Sequence, residues 1–267
     1  MLHVVSLGAG VQSTTLVLLA KHGEVTPMPD AAVFADTQSE PRAVYEHLAW
    51  LIPQLPFPVH TVTNGSLRAA LLASVSNTRV THFNRVPFFV SSGGMLHRQC
   101  TTTYKIKPIQ RQLRDMLGIK PRARSPRDPV VTQWMGISTD EVTRTRPSKE
   151  RWIRNRFPLI ELGMSRWDCL QWMRAKGYPQ PPKSSCTFCP YHDNALWRKL
   201  RDTAPEDFAD AVRVDQAIRH GPSWQRNGSQ WFVHRSCMPL DQVDLSTPED
   251  LGQLTLFDEE CSGMCGV

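Results

Sequence analysis

The chain has 267 residues, 40% of them hydrophobic, and a formal net charge of +6 at pH 7. That length admits one large α/β domain or a domain with a smaller appendage, and the apolar share is enough for a packed core. No apolar run reaches the ~18–20 residues that span a bilayer, and the N-terminus lacks the basic and small-residue pattern of a signal peptide. A cytoplasmic location with no membrane partner is therefore expected, and the basic balance points to an anionic partner, a nucleotide or a nucleic acid, with a merely solvated basic face as the alternative.

His3–Leu7 reads as a short buried strand, Gly8–Ser13 as a tight small-residue loop, and Thr14–Ala20 as an apolar helix. A strand feeding a glycine-rich loop that opens a helix makes a phosphate cradle, because backbone N–H groups converge on the positive end of the helix. The loop matches neither G-x-x-x-x-G-K-[ST] nor G-x-G-x-x-G, so a plain βα turn stays open as an alternative. Ala31–Ala35 reads as a second strand ending at Asp36-Thr37, Pro41–Ile52 as a helix opened by proline, Pro58–Val62 as a third strand, and Leu67–Ser74 as a helix. Residues 76–98 show no period and contain Gly93-Gly94, which suggests a substrate-facing flap.

Tyr104–Leu117 carries a helical apolar stripe, Ile106, Ile109, Leu113 and Leu117, opposite a basic face. A Pro- and Arg-rich linker, 120–129, leads to a fourth strand over Val130–Ile137, and Phe157–Ile160 reads as a fifth strand or an extended segment. Ser165–Lys176 is a predicted helix, Gly177–Pro190 a Pro- and Cys-rich turn, and 194–201 and 205–220 two more helices before a mostly irregular end. Strands alternating with helices imply a parallel sheet, whose ligands sit at the carboxyl ends of the strands.

Three polar turns lie at such ends. Besides Ser6–Ser13 these are Asp36–Glu40 and Gly136–Glu141 with Arg144. A carboxylate at Asp36 suits ribose hydroxyls or a phosphate-bound Mg²⁺, although Asp, Ser or Thr there also suits a helix N-cap. Seven cysteines in a cytosolic chain suggest ligands or reactive thiols rather than disulfides. Cys186-Thr187-Phe188-Cys189 can chelate a metal ion or part of an iron–sulfur cluster, with a redox dithiol as the rival. Cys100 lies 86 residues before it, and Cys261 and Cys265 form a C-x-x-x-C near the end. Cys169, beside Trp167 and Leu170 on a helix, reads as buried and inert, and Cys237 is undecided.

Together these residues resemble the adenine-nucleotide alpha-hydrolase (PP-loop) superfamily, in its phosphoadenosine-phosphosulfate (PAPS) reductase-like branch. The carriers are Gly8-Ala9-Gly10-Val11-Gln12-Ser13 against the usual S-G-G-x-D-S, Phe34-Ala35-Asp36-Thr37, Phe157-Pro158-Leu159, Cys186-x-x-Cys189-Pro190 and Glu260-Cys261. Gln12 replaces the usual acidic residue. The resemblance implies an α/β fold, a parallel five-stranded Rossmann-like (HUP-type) sheet flanked by helices, with a Cys-rich, mostly helical and irregular C-terminal region. It divides the chain into a nucleotide-binding domain over 1–163 and a region over 164–267.

It also implies site roles. Ser6, Gly8, Ala9, Gly10, Gln12, Ser13, Asp36, Thr37 and Gly136 would bind ATP with Mg²⁺, and Ser13, Asp36 and Cys261 would act in catalysis. Arg98, Lys105, Lys107 and Arg144 would bind substrate, with Arg111 and Arg114 extending a basic path. Cys100, Cys186 and Cys189, with Cys261 or Cys265 as a fourth ligand, would hold a [4Fe–4S] cluster, with zinc as the alternative metal. The implied activity is an ATP pyrophosphatase that adenylates a substrate, a nucleic-acid base, for sulfur transfer. One alternative is a thiol-dependent sulfonucleotide reductase with Cys261 as nucleophile, and another is a non-enzymatic zinc-stabilised nucleic-acid-binding module. Expected partners are an adenine nucleotide, RNA or DNA, a sulfur donor or thioredoxin-like reductant, and a second copy of the chain in a homodimer.

Overall fold

The computed structural model describes residues 1–76, 86–221, 228–247, 250 and 252. In chain order the first half holds β1 (Leu2–Leu7), α1 (Val11–Lys21), β2 (Ala31–Asp36), α2 (Arg42–Leu51), β3 (Val59–Thr63), α3 (Leu67–Ser76), β4 (Phe89–Val90) and α4 (Lys107–Met116). Then come β5 (Val131–Met135), β6 (Ile153–Arg156), α5 (Pro158–Glu161), α6 (Arg166–Ala175), α7 (Asn194–Thr203), α8 (Pro205–Ile218) and β7 (Trp231–Phe232).

Five strands form one parallel sheet in the order β3-β2-β1-β5-β6, as the alternation of strands and helices predicts. The order reverses between β1 and β5, so the crevice at their carboxyl ends is the topological switch point where such sheets take ligands. Both faces are covered. Val5, Leu7 and Trp134 face α1, α2 and α6, while Val4, Val33 and Val131 face α4 through Ile109 and Leu113. The alternation of Val4 and Val5 across the sheet is the period-two geometry of a strand. α1 is buried almost throughout, Ser13 to Ala20 included, so it reads apolar rather than amphipathic.

Hydrogen bonds fix the helices. Ser165 and Asp168 close a capping box at the start of α6, and Gly177, at φ +72°, ends it by letting Tyr178 N–H reach the Met173 carbonyl at 2.9 Å. A second core joins α3 to α7 and α8 through Leu67, Leu71, Trp197, Leu200 and Val214. The cores interleave across the expected boundary at 163. Met173 and Cys169 of α6 pack with α1, while Leu67 and Phe88 from the first half pack with the C-terminal helices.

Four sequence expectations change. The fifth strand is Ile153–Arg156; Phe157–Ile160 instead enters the short helix α5, whose Pro158 suits a first helical position and removes a ladder donor. The predicted flap at 76–98 lies partly outside the described residues, but its described end is built in: Val86 and Phe88 are buried, and β4 pairs antiparallel with β7. That pairing also gives order to a stretch expected to be irregular. The basic helix begins earlier than Tyr104, through a π-helical turn at Thr102–Ile106 just after Cys100. Cys169 is fully buried, as expected, and burial pushes its thiol pKa up to about 12.

Candidate functional site

The β1–α1 loop closes on itself through Ser13. Gly8 N–H donates to Ser13 Oγ at 3.1 Å, and the hydroxyl donates to the Gly10 carbonyl at 3.3 Å. Ala9 adopts a left-handed φ of +58° where the resembling motif carries glycine. A Cβ at Gly8 would come no nearer than 3.6 Å to Ser13 Oγ, and one at Gly10 no nearer than 3.8 Å to Ser184. The protein itself therefore has room for a methyl at both glycines, and their smallness leaves the backbone open to a ligand. Gly136 is different. A Cβ there would stand 2.8 Å from Ser13 N and 2.9 Å from Ser13 Cα, so β5 runs directly against the first turn of α1. Ser6, on β1, pairs in register with Met135 just before Gly136.

Gln12 projects from α1 into a charged network on the β5 side. Its amide nitrogen donates to Glu141 Oε2 at 3.3 Å and Ser138 Oγ at 3.4 Å, and its oxygen accepts from Arg166 Nη1 at 3.2 Å. Arg144 pairs with Glu141 at 2.6 Å. The carboxylate absent from position 12 thus stands beside it on the neighbouring turn. The amide serves both neighbours, donating to a carboxylate and accepting from a guanidinium, which a carboxylate in its place could not do.

The β2 end builds the other wall. Asp36 Oδ1 accepts from Gln38 N–H at 2.7 Å and from the Tyr45 hydroxyl at 2.9 Å. Burial and that carboxylate together hold the Tyr45 hydroxyl above its usual pKa. Thr37 is buried and its hydroxyl lies 3.4 Å from Cys186 Sγ. The Ser39 carbonyl accepts from Thr187 N–H at 2.8 Å, which ties the C-x-x-C turn to β2. Within that turn Cys189 N–H reaches the Cys186 carbonyl at 3.0 Å. Glu40 has a fully buried side chain that accepts from Lys105 Nζ and Ser184 Oγ, each at 3.3 Å.

Cys100, Cys186 and Cys189 line one pocket, of about 540 Å³ including its open mouth, together with Thr37, Arg98, Lys105, Ser184 and Tyr191. Leu67, Val86 and Phe188 supply its apolar wall. Burial first, and Glu40 second, push the Cys186 thiol up to about 12, while Lys105 pulls the other way. Burial works against the Lys105 ammonium, but Glu40 and the neighbouring thiols outweigh it and hold its pKa above the ordinary value. Arg98 donates to Thr101 Oγ1 at 2.8 Å and lies 5.6 Å from the Tyr191 ring centre.

Among the described residues no three His, Cys, Asp or Glu side chains are close enough together to hold a metal ion. A single zinc would need its sulfurs at tetrahedral spacing. A [4Fe–4S] cluster places its irons at separate corners and accepts cysteines that stand further apart, so three thiols around a pocket with an apolar wall and a lysine fit it in donor chemistry.

The structure thus brings together the loop, Asp36, Thr37, Lys105, Arg98 and three predicted metal-ligating cysteines. Cys261 and Cys265 lie outside the described residues. Lys107 is exposed at the start of α4 and is not in the pocket wall, and Arg144 belongs to the Gln12 side. Cys237 sits away from the pocket, its thiol 3.8 Å from the Val90 carbonyl. Sequence reasoning missed Ser184, Glu141 as the neighbour of Gln12, Arg166, and Glu40 as the link between walls. Glu40 was visible within the Asp36–Glu40 turn, but its lysine partner is 65 residues away.

No helix among the described residues is long and apolar enough to cross a membrane. No protein-family model matches the sequence, and no curated protein matches it significantly. Among solved structures the chain is similar to a phosphoadenylyl-sulfate (PAPS) reductase from Candida auris, in a phosphate complex. The identity is 12%, covering 67% of this chain and 74% of that one, with a TM-score of 0.42. It is also similar to the U34-tRNA thiolase NcsA from Methanococcus maripaludis with its [4Fe–4S] cluster. There the identity is 10%, covering 85% of this chain and 74% of that one, with a TM-score of 0.35. The α/β arrangement expected from sequence is the one observed.

Proposed function

We propose that this chain is a PP-loop ATP pyrophosphatase that adenylates a nucleic-acid base and exchanges the adenylate for sulfur. One observation carries the reading: the phosphate loop and the cysteine pocket share a wall. Ser184 lies against Gly10 and also hydrogen-bonds Glu40, and Glu40 holds Lys105 in the cysteine pocket. A nucleotide in the loop and a reactant in the pocket would therefore be neighbours.

The amides of Gly8–Ser13 and the end of α1 would hold the ATP phosphates, with Mg²⁺ offsetting their charge. Arg166 and Arg144, both near Gln12, would add positive charge on the same side. A carbonyl oxygen of the base attacks the alpha phosphate and pyrophosphate leaves. A sulfur nucleophile then attacks the activated carbon and AMP leaves with its oxygen. Cys100, Cys186 and Cys189 would hold a [4Fe–4S] cluster, which would supply iron to bind that sulfur. Lys105 keeps a positive charge beside the thiolates, and Leu67, Val86 and Phe188 exclude water from the step.

Anaerobically prepared protein tests the reading. It should release pyrophosphate from ATP, faster with RNA or DNA present, and show a broad visible absorption that Cys100→Ser removes. Reduction of PAPS by thiols without ATP cleavage, lost in Cys261→Ser, would replace the reading with a sulfonucleotide reductase.

A further inference from the structure

Residues 120–156 contain ten Lys or Arg and four Asp or Glu, so they carry a net charge equal to that of the whole chain, +6. Three of the four acids are engaged: Glu141 with Arg144, Asp140 with the Arg166 backbone N–H, and Glu150 with the Trp152 indole N–H. Arg122, Arg124, Arg127, Lys149, Arg151 and Arg154 are exposed, and none of them has an acidic partner within 4.0 Å among the described residues.

The fold brings Lys149, Arg151 and Arg154 to one border, and the cationic linker leads into that border at its Val130 end. β6 is an edge strand of the sheet. The connection from β5 runs beside it, its Arg146 carbonyl accepting from Asn155 Nδ2 at 2.9 Å. The Pro- and Arg-rich linker arrives next to it, with Val130 N–H on the Trp152 carbonyl at 3.0 Å. Arg114 of α4 fixes that linker by donating to Ser125 Oγ and to the carbonyls of Lys120 and Ala123. The linker's charges therefore stand on a held backbone.

The basic helix face singled out from sequence is a poorer anion path. Lys105 is tied to Glu40, Arg111 to Asn64 at 2.9 Å, and Arg114 to the linker. Protection of an edge strand is the plain alternative for charges on β6. The opposite edge, β3, reads VHTVT with no Lys, Arg, Asp or Glu, so that edge does without charge. The turn that carries Arg144 meets the start of α6, where Arg166 N–H donates to Asp140 Oδ1 at 3.0 Å, and the next residue, Trp167, is 61% exposed.

We propose that this border is the docking surface for a single-stranded nucleic acid, with the phosphate backbone along the cations and a base stacked on Trp167. The pattern is that of a cationic track with an aromatic platform. The choice of partner rests on the proposed nucleic-acid substrate, while the surface itself rests on the charges.

The test uses fluorescein-labelled 20-nucleotide RNA and DNA of mixed sequence, read by anisotropy against the full chain without ATP. The triple variants Arg122→Glu/Arg124→Glu/Arg127→Glu and Lys149→Glu/Arg151→Glu/Arg154→Glu should each weaken binding at least tenfold. Each should also lower the slope of log K against log salt by about 2. Trp167→Ala should weaken it by about tenfold. A control with the same charge change elsewhere, Lys199→Glu/Arg213→Glu/Arg235→Glu, should stay within twofold of the parent. Equal losses in the control, binding insensitive to salt, or vesicles of phosphatidylserine bound more tightly than either oligonucleotide would overturn the proposal. Oligonucleotide binding by a protein that never cleaves ATP would overturn the enzymatic reading and leave this one standing.

Discussion

Gly136→Ala tests how the β1–α1 loop is supported. The added methyl would meet Ser13 N at 2.8 Å, Ser13 Cα at 2.9 Å and the Gln12 carbonyl carbon at 3.2 Å, where ordinary contacts begin at 3.4 Å. All three atoms are backbone, so no side chain can rotate away. Relief requires β5 and the first turn of α1 to part by about half an ångström or more. Overpacking of this kind costs about 1–3 kcal/mol. For a chain of this size, about 2 kcal/mol corresponds to a fall in Tm of roughly 4–8 °C. The displaced turn also carries Ser13, whose hydroxyl bridges Gly8 N–H and the Gly10 carbonyl. Affinity for a fluorescent ATP analogue should therefore fall at least tenfold, about 1.4 kcal/mol. Gly8→Ala makes the contrast: its methyl meets only an ordinary contact at 3.6 Å, so Tm should stay nearly constant while ATP affinity drops. Differential scanning fluorimetry and a binding titration on both variants decide the matter. A Gly136→Ala protein with unchanged Tm would refute the steric argument, and a Gly8→Ala protein with full ATP affinity would refute the claim that the loop backbone meets phosphate.

Charge-swap variants probe Gln12. Gln12→Glu alone sets a second carboxylate against Glu141 and should lower stability by about 1–2 kcal/mol at pH 7, and Gln12→Glu/Glu141→Gln should restore it, as chemical denaturation would show. Glu40→Gln leaves the Lys105 ammonium without its counter-charge and should cost about 2–3 kcal/mol; a Tm within 1 °C of the parent would contradict the link between the walls. Stability should also fall in acid. His47, His192 and His234 are buried, and burial lowers their pKa to about 4, about 3 and about 4. The unfolded chain then binds more protons below its ordinary histidine pKa of 6.5. The contribution of these histidines is therefore constant above that pH and declines as pH falls toward the folded values, by about 2 kcal/mol per histidine at pH 5. In His47→Gln the urea midpoint should depend less on pH between 7 and 5.

Periodicity and punctuation made much of the fold legible. Ala31–Ala35 is uninterruptedly apolar because β2 is covered on both faces, and such a run announces a central parallel strand. Ile153–Arg156 was not legible. Its alternation is only four residues long and lies in a run of arginines, whereas the adjacent Phe-Pro-Leu-Ile looks more strand-like and is helical because of Pro158. The pairing of β4 with β7 joins residues more than 140 positions apart, and two-residue strands carry no period. At the site, loop and cysteines announced themselves by residue type and spacing. Glu40, Ser184 and Arg166 did not, because what matters about each is a partner far away in sequence: Lys105, Glu40 and Gln12 respectively.

The position of Gln12 shows why a motif read alone misleads. Judged by the loop, replacing an acid with an amide looks like a lost function. Judged by the crevice, the local charge is retained, because Glu141 arrives from the β5 turn within hydrogen-bond reach. An acid at position 12 would face Glu141 as a like charge and would need a proton or a cation between them. The amide removes that conflict and at the same time fixes Arg166, which comes from α6 and has no counterpart in the loop motif. The chemistry proposed for this end of the crevice therefore depends on three segments, the α1 turn, the β5 turn and the start of α6. All three are brought to one place by the reversal of strand order between β1 and β5.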